Sequence, residues 1–214
     1  MSLTVANTGG DFKPAPAGSH LARCYRIIDL GTQKVVWKGK EKAMKKIIIG
    51  WELHGDDAEG NPLLTEDGRP LVVSRKFTPS LADKAALRAF LVAWRGKQFT
   101  NDELMGFSLK NIIGAWCMIN ISHEDRDGKT YANITGVSGV PSAIKKAGLP
   151  EGVNPEVMFD IDEPNMEVFE SFTDYIKDQI MSSPEWQMKN GEHKPQGSKK
   201  SSGDNFEDDD GLPF

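Results

Sequence analysis

Residues Lys45 to Leu53 read KKIIIGWEL, and this stretch decides the fold. A period of two puts Lys45, Ile47, Ile49, Trp51 and Leu53 on one face and Lys46, Ile48, Gly50 and Glu52 on the other. The first set is a core face, so Trp51 is expected inside. Upstream, His20 to Leu30 (HLARCYRIIDL) is rich in β-formers and Gly31-Thr32 closes it. Downstream of a Gly/Asp/Pro loop, Leu71 to Thr78 (LVVSRKFT) is a third strand, and its pattern leaves open which face is wet. The period then changes. Ser80 with Asp83 has the spacing of a capping box, and Leu87, Phe90, Leu91 and Trp94 share one helical face up to Gly96. Thr100 with Glu103 repeats the signal for a shorter helix carrying Leu104 and Phe107. Ala115 to His123 returns to strand, Asp127-Gly128 makes a hairpin turn, and Tyr131 to Val137 is the returning strand.

Three strands, a helical segment and a two-stranded hairpin follow the order of the OB-fold, a partly open barrel that takes oligonucleotides and oligosaccharides. The expectation is therefore a mainly β protein: a five-stranded OB-fold barrel over residues 19–145, with a helical segment between strands 3 and 4, plus a C-terminal helix and a disordered acidic tail. Residues 1–18, with Gly-Gly and Pro-Ala-Pro, read as a flexible N-terminal arm. Residues 146–186 form an acidic helical extension. Its helix starts near Asn165, carries Met166, Phe169, Phe172, Ile176 and Ile180 as an apolar stripe, and stops at Ser183-Pro184. The stripe packs on the barrel or on a second copy, which leaves a homo-oligomer open. Residues 187–203 have the composition of a flexible linker, and 204–214 of an acidic partner-binding tail.

The net charge of −5 conceals a strong polarity. Residues 1–150 hold 21 Lys/Arg against 15 Asp/Glu, residues 151–186 one Lys against ten acids, and residues 204–214 five acids and no base. A basic body followed by acidic segments keeps nucleic acid in play as a partner. Enzymatic motifs are missing: there is no phosphate-binding loop, dinucleotide fingerprint or nucleophile elbow. His20, His54, His123 and His193 have no ligand spacing among themselves or with Cys24 and Cys117. Asp160, Asp162 and Glu163 read as a solvated acidic turn rather than a magnesium site. No catalytic residue, metal or cofactor is expected. Two isolated cysteines and the lack of a long apolar run predict a cytoplasmic protein with no membrane partner.

Binding single strands without reading sequence needs cations for phosphates and aromatic faces for bases. Trp37 stands amid Lys34, Lys38, Lys40 and Lys42. Tyr131, outward by parity beside Lys129 and Arg126, is a stacking candidate. Arg75, Lys76 and Phe77 lie on the strand that lines the groove, and Arg23 with Tyr25 lies on the first strand. Trp94 and Trp116 are assigned to the core and Trp186 to the end of the acidic helix.

The last eleven residues are DNFEDDDGLPF. Asp208-Asp209-Asp210, Leu212, Pro213 and Phe214 resemble the acidic tip of bacterial and phage single-stranded DNA-binding proteins, with Gly211 inserted and Leu212 where those proteins usually carry Ile. The body is loosely similar to phage-encoded replication proteins of this kind in YRIIDLGTQ (Tyr25 to Gln33) and IIIGWEL (Ile47 to Leu53). The resemblance implies a protein that coats single-stranded DNA in replication, recombination and repair, within the bacterial host cytoplasm if phage-encoded. It also implies partner proteins of those pathways recruited through Asp208, Asp209, Asp210, Leu212, Pro213 and Phe214. The alternatives are a protein-interaction adaptor that binds no nucleic acid, and a metal-dependent nuclease or recombination enzyme.

Overall fold

The computed structural model describes residues 14–189 except Lys38 and Asp127. The linker from residue 190 onward, the tail 204–214 and the first thirteen residues of the N-terminal arm lie outside the described residues. So do Lys38 and the side chain of Trp37.

The protein is mainly β. Strands β1 (Gly18–Trp37), β2 (Lys40–His54) and β3 (Val72–Phe77) precede helices α1 (Ala86–Arg95) and α2 (Asn101–Met105), and β4 (Trp116–Arg126) and β5 (Lys129–Ser138) follow. The sheet runs β3-β2-β1-β4-β5 with antiparallel neighbours. A short sixth strand, β6 (Val157–Phe159), pairs with β1 in parallel. Long β1 organises the sheet. It pairs with β2 along most of its length, with β4 through Gly18–Arg23, and with β6 through Arg26–Ile28. Irregularities at Cys24/Arg26 and Asp29/Thr32 bend it where its second partner changes. Beyond Thr32 the β1–β2 pair runs on as a two-stranded ribbon to the turn after Trp37.

Two cores hold the sheet. On one face Ile47, Ile49, Trp51 and Leu53 meet α1 through Leu87, Phe90, Leu91 and Trp94. Trp51 lies 5.5 Å from the Phe90 ring and 5.9 Å from the Trp94 ring. Gly96 ends α1 in the left-handed region, φ 67°. Thr100 and Glu103 form the reciprocal capping box of α2. Ser80 and Asp83 do not cap α1, which starts at Ala86. Ser80 instead accepts the Ala82 N–H and Asp83 pairs with Arg88.

The second core covers the opposite face of β2. Lys46, Ile48 and Glu52 are buried as fully as their neighbours, because the chain beyond α3 (Ser142–Ala147) returns across them. Ile28, Leu30 and Ile48 pack against Phe159, Ile161, Phe169, Phe172, Ile176, Ile180 and Trp186. The extension is not one helix but three: α4 (Met166–Glu170), α5 (Asp174–Ser182) and α6 (Pro184–Lys189). Met166 falls off the apolar stripe and is 49% exposed. The end of the N-terminal arm is also tied down. Ala15 is buried, its carbonyl bonded to His123 Nε2 at 2.8 Å and that of Pro16 to His20 Nε2 at 2.8 Å.

Candidate nucleic-acid interface

The first-strand pair is committed internally. Arg23 donates from Nη2 to Glu156 at 2.6 Å, and from Nη1 to Glu52 at 3.2 Å and to the Asn154 carbonyl at 3.1 Å. Tyr25 is buried, with the Arg26 guanidinium over its ring. Neither offers a surface to DNA, which corrects their assignment to the interface. The Glu52 carboxylate that anchors Arg23 also accepts the backbone N–H of Asn154 at 2.6 Å and of Val153 at 3.0 Å, and bonds His54 at 3.1 Å. Burial alone would push its pKa up. The Asn154 N–H, His54, the Val153 N–H and Arg23 outweigh it and hold the carboxyl below its usual range.

On β3 the parity is now fixed. Phe77 is 2% exposed and packs 5.0 Å from Phe90, so it is a core residue and not a stacking platform. Arg75 shares its face, lies over the rings of Phe77 and Phe90, and donates to the Ile134 carbonyl at 3.3 Å. That contact joins the two edge strands, β3 and β5. Lys76 points to the other face and is half-buried.

The β4–β5 hairpin exposes Arg126 and Lys129, with Tyr131 half-buried. Arg126 is paired with Glu124 at 2.7 Å, and Asp125 is exposed beside it, so the local charge is nearly balanced. Trp116, assigned to the core, is half-buried at the start of β4 with His54 4.7 Å from its ring.

The β1–β2 ribbon is different. Between residues 34 and 46 it carries six Lys and one Glu. Lys34, Lys40 and Lys42 are exposed, as is Val36 at 74%. The register sets Trp37 opposite Lys40 and Val35 opposite Lys42. At its root Lys45 pairs with Asp29 at 2.8 Å, and Glu185 of α6 accepts both the N–H and the hydroxyl of Thr32, at 2.9 and 2.6 Å. Burial pushes the Glu185 carboxyl up, and the two Thr32 bonds, with its own backbone N–H and the Lys45 charge, outweigh it and hold the carboxyl below its usual range. Where the ribbon meets the β3–α1 connection there is a cleft of about 370 Å³, lined by Lys42, Met44, Thr78, Ala82, Lys84 and Ala85 among others.

Sequence reasoning missed Lys84, Met44 and Thr78. The Ser80–Asp83 spacing drew α1 too early and hid Lys84 in a supposed first turn. Among the described residues no group of three His, Cys, Asp or Glu is placed to hold a metal ion. Asp160 instead accepts the Asp162 N–H at 2.8 Å in a tight turn. No described helix is long and apolar enough to cross a membrane. No family model matches the sequence, and no curated protein matches it.

Proposed function

We propose that this chain binds single-stranded DNA without reading its sequence, as a coating protein rather than an enzyme, with the β1–β2 ribbon as its principal contact. The observation that carries this is the exposed pair Lys40 and Lys42, which the register sets opposite Trp37 and Val35, with Lys34 exposed on the ribbon's other face and a single acid, Glu41, along residues 34–46. Cations at this spacing meet successive phosphates, and an aromatic among them supplies a stacking face for any base. Lys129, Arg126 and Tyr131 extend the track from the second hairpin. The strand order, and the approach of the edge strands through Arg75 and Ile134, support reading the sheet as an OB-type barrel.

The tail completes the proposal. The described chain leaves α6 at Lys189, one turn beyond the Glu185 that grips Thr32 at the ribbon's root. Residues 204–214 are tethered from there and compete with DNA for the ribbon lysines when no strand is bound. When displaced, the tail presents Asp208, Asp209, Asp210, Leu212, Pro213 and Phe214 to replication, recombination or repair proteins.

A tryptophan-fluorescence titration with oligo(dT) at several salt concentrations tests this. Binding should weaken with log[salt], and Lys40→Ala/Lys42→Ala should lower the slope by about two. Absence of binding at low salt rejects the reading in favour of a protein adaptor, and Mg²⁺-dependent shortening of the oligonucleotide rejects it in favour of a nuclease.

A further inference from the structure

The cleft at the base of the ribbon combines three features that the ribbon alone lacks. Its volume, about 370 Å³, falls within the range of roughly 300–1,000 Å³ typical of small-ligand sites. Its rim carries two exposed cations from different elements, Lys42 of β2 and Lys84 of the β3–α1 connection. Its wall is formed by Met44, Ala85 and Thr78 among others, and the Thr78 hydroxyl oxygen lies buried behind that wall with no hydrogen-bond partner among the described residues. A buried hydroxyl without a partner is a net cost to the fold, and a ligand atom that reaches it recovers that cost.

The ligand this calls for has a flat, weakly polar body with hydrogen-bonding groups at its edge and an anion attached. Thioethers pack well on aromatic rings. A hydroxyl can both donate and accept, so it satisfies the edge of any base. Lys42 belongs to the ribbon and to the rim alike, so a strand that follows the ribbon crosses the mouth of the cleft.

We propose that the cleft is a nucleotide subsite of the single-strand track: one unstacked base of the bound DNA enters it against Met44 and Ala85, and the adjoining phosphate lies between Lys42 and Lys84. The proposal rests on the single-strand binding argued above and deepens it from charge contact to a seated base.

The test uses the full chain with isotope-labelled methionine methyl groups and an oligo(dT) of about fifteen nucleotides, within the span of one such fold. The Met44 signal, assigned with Met44→Leu, should move on addition of oligo(dT) and stay still with an abasic strand of equal length. Ala82→Leu, which fills the cleft from an exposed position, should weaken oligo(dT) binding about tenfold, the scale of one stacked base. It should leave abasic-strand binding unchanged. Lys84→Ala should lower the salt slope by about one. If wild-type protein binds oligo(dT) but Ala82→Leu and Lys84→Ala bind as tightly and Met44 does not respond, the subsite is refuted and ribbon binding stands. A Met44 shift as large with the abasic strand also refutes it. If wild-type protein binds no oligo(dT) at low salt, both proposals fall.

Discussion

Glu52 carries its charge on a side chain with no exposed surface, and five donors account for why it can. Two are backbone N–H groups of Val153 and Asn154, and the others are the Asn154 amide, Arg23 and His54. Breaking one side of such a buried pair costs about 3–5 kcal/mol, because the remaining partner stays buried and uncompensated. Glu52→Gln is therefore expected to destabilise the protein by about 3 kcal/mol in urea unfolding at neutral pH. The pH dependence has a definite sign. The folded-state pKa lies below the ordinary glutamate value of 4.5, so the Glu52 contribution is fully present above that value and is lost as pH falls through the lowered one. Wild-type protein should lose stability as it is acidified from 4.5 down through the lowered pKa, and Glu52→Gln should lack this component. Equal stability of the two proteins at neutral pH, or parallel acid limbs, would show that the network contributes nothing.

At the level of elements, the β1 bulge and the α5–α6 turn are built for each other. Gly31 has φ 69°, and a Cβ there would lie 2.7 Å from Ser183 Cβ and 2.9 Å from Glu185 Oε2. Gly31→Ala is expected to cost about 2 kcal/mol or more through backbone strain and displacement of the turn, read as a lower midpoint in thermal unfolding; an unchanged midpoint would mean that the turn yields freely. The same region marks the limit of what sequence reveals. The five strands and α1 were legible as elements because their residues repeat at two and at 3.6, but Gly31-Thr32, read as the end of the first strand, is an irregularity through which β1 runs on to Trp37. Phe169, Phe172, Ile176 and Ile180 keep helical spacing across a break at Ser171–Thr173, so periodicity alone reads α4 and α5 as one helix. Three-residue β6 is too short to have a period. The burial of Ile48 and Glu52 was not legible because their cover arrives from more than a hundred residues along the chain. The candidate interface divided on the same line. The ribbon lysines were legible as a local charge run, whereas Phe77 and Arg75 needed the parity of β3 and Lys84 needed the true start of α1.

For the whole molecule, the question is whether the acidic extension is an appendage or half of the fold. Of the ten residues that form the second core, seven come from beyond residue 150. Burying a large apolar side chain contributes about 1.5–3 kcal/mol, so removing seven takes away about 10–21 kcal/mol, on the scale of the whole roughly 5–15 kcal/mol by which a typical domain is stable. The extension also supplies the Asn154 and Glu156 partners of Glu52 and Arg23 and the Glu185 clamp on Thr32. A chain ending at residue 150 should therefore fail to unfold cooperatively and should aggregate through Ile28, Leu30 and Ile48. A chain ending at Gly203 loses only the acidic tail. It should keep the full-length unfolding midpoint while binding oligo(dT) more tightly at low salt, an advantage that shrinks as salt screens the competition. The two truncations separate the roles of two acidic segments that look alike in composition. A cooperatively folded, monomeric 1–150 fragment would make the extension an appendage after all, and unchanged DNA affinity without the tail would remove the proposed competition while leaving the fold as described.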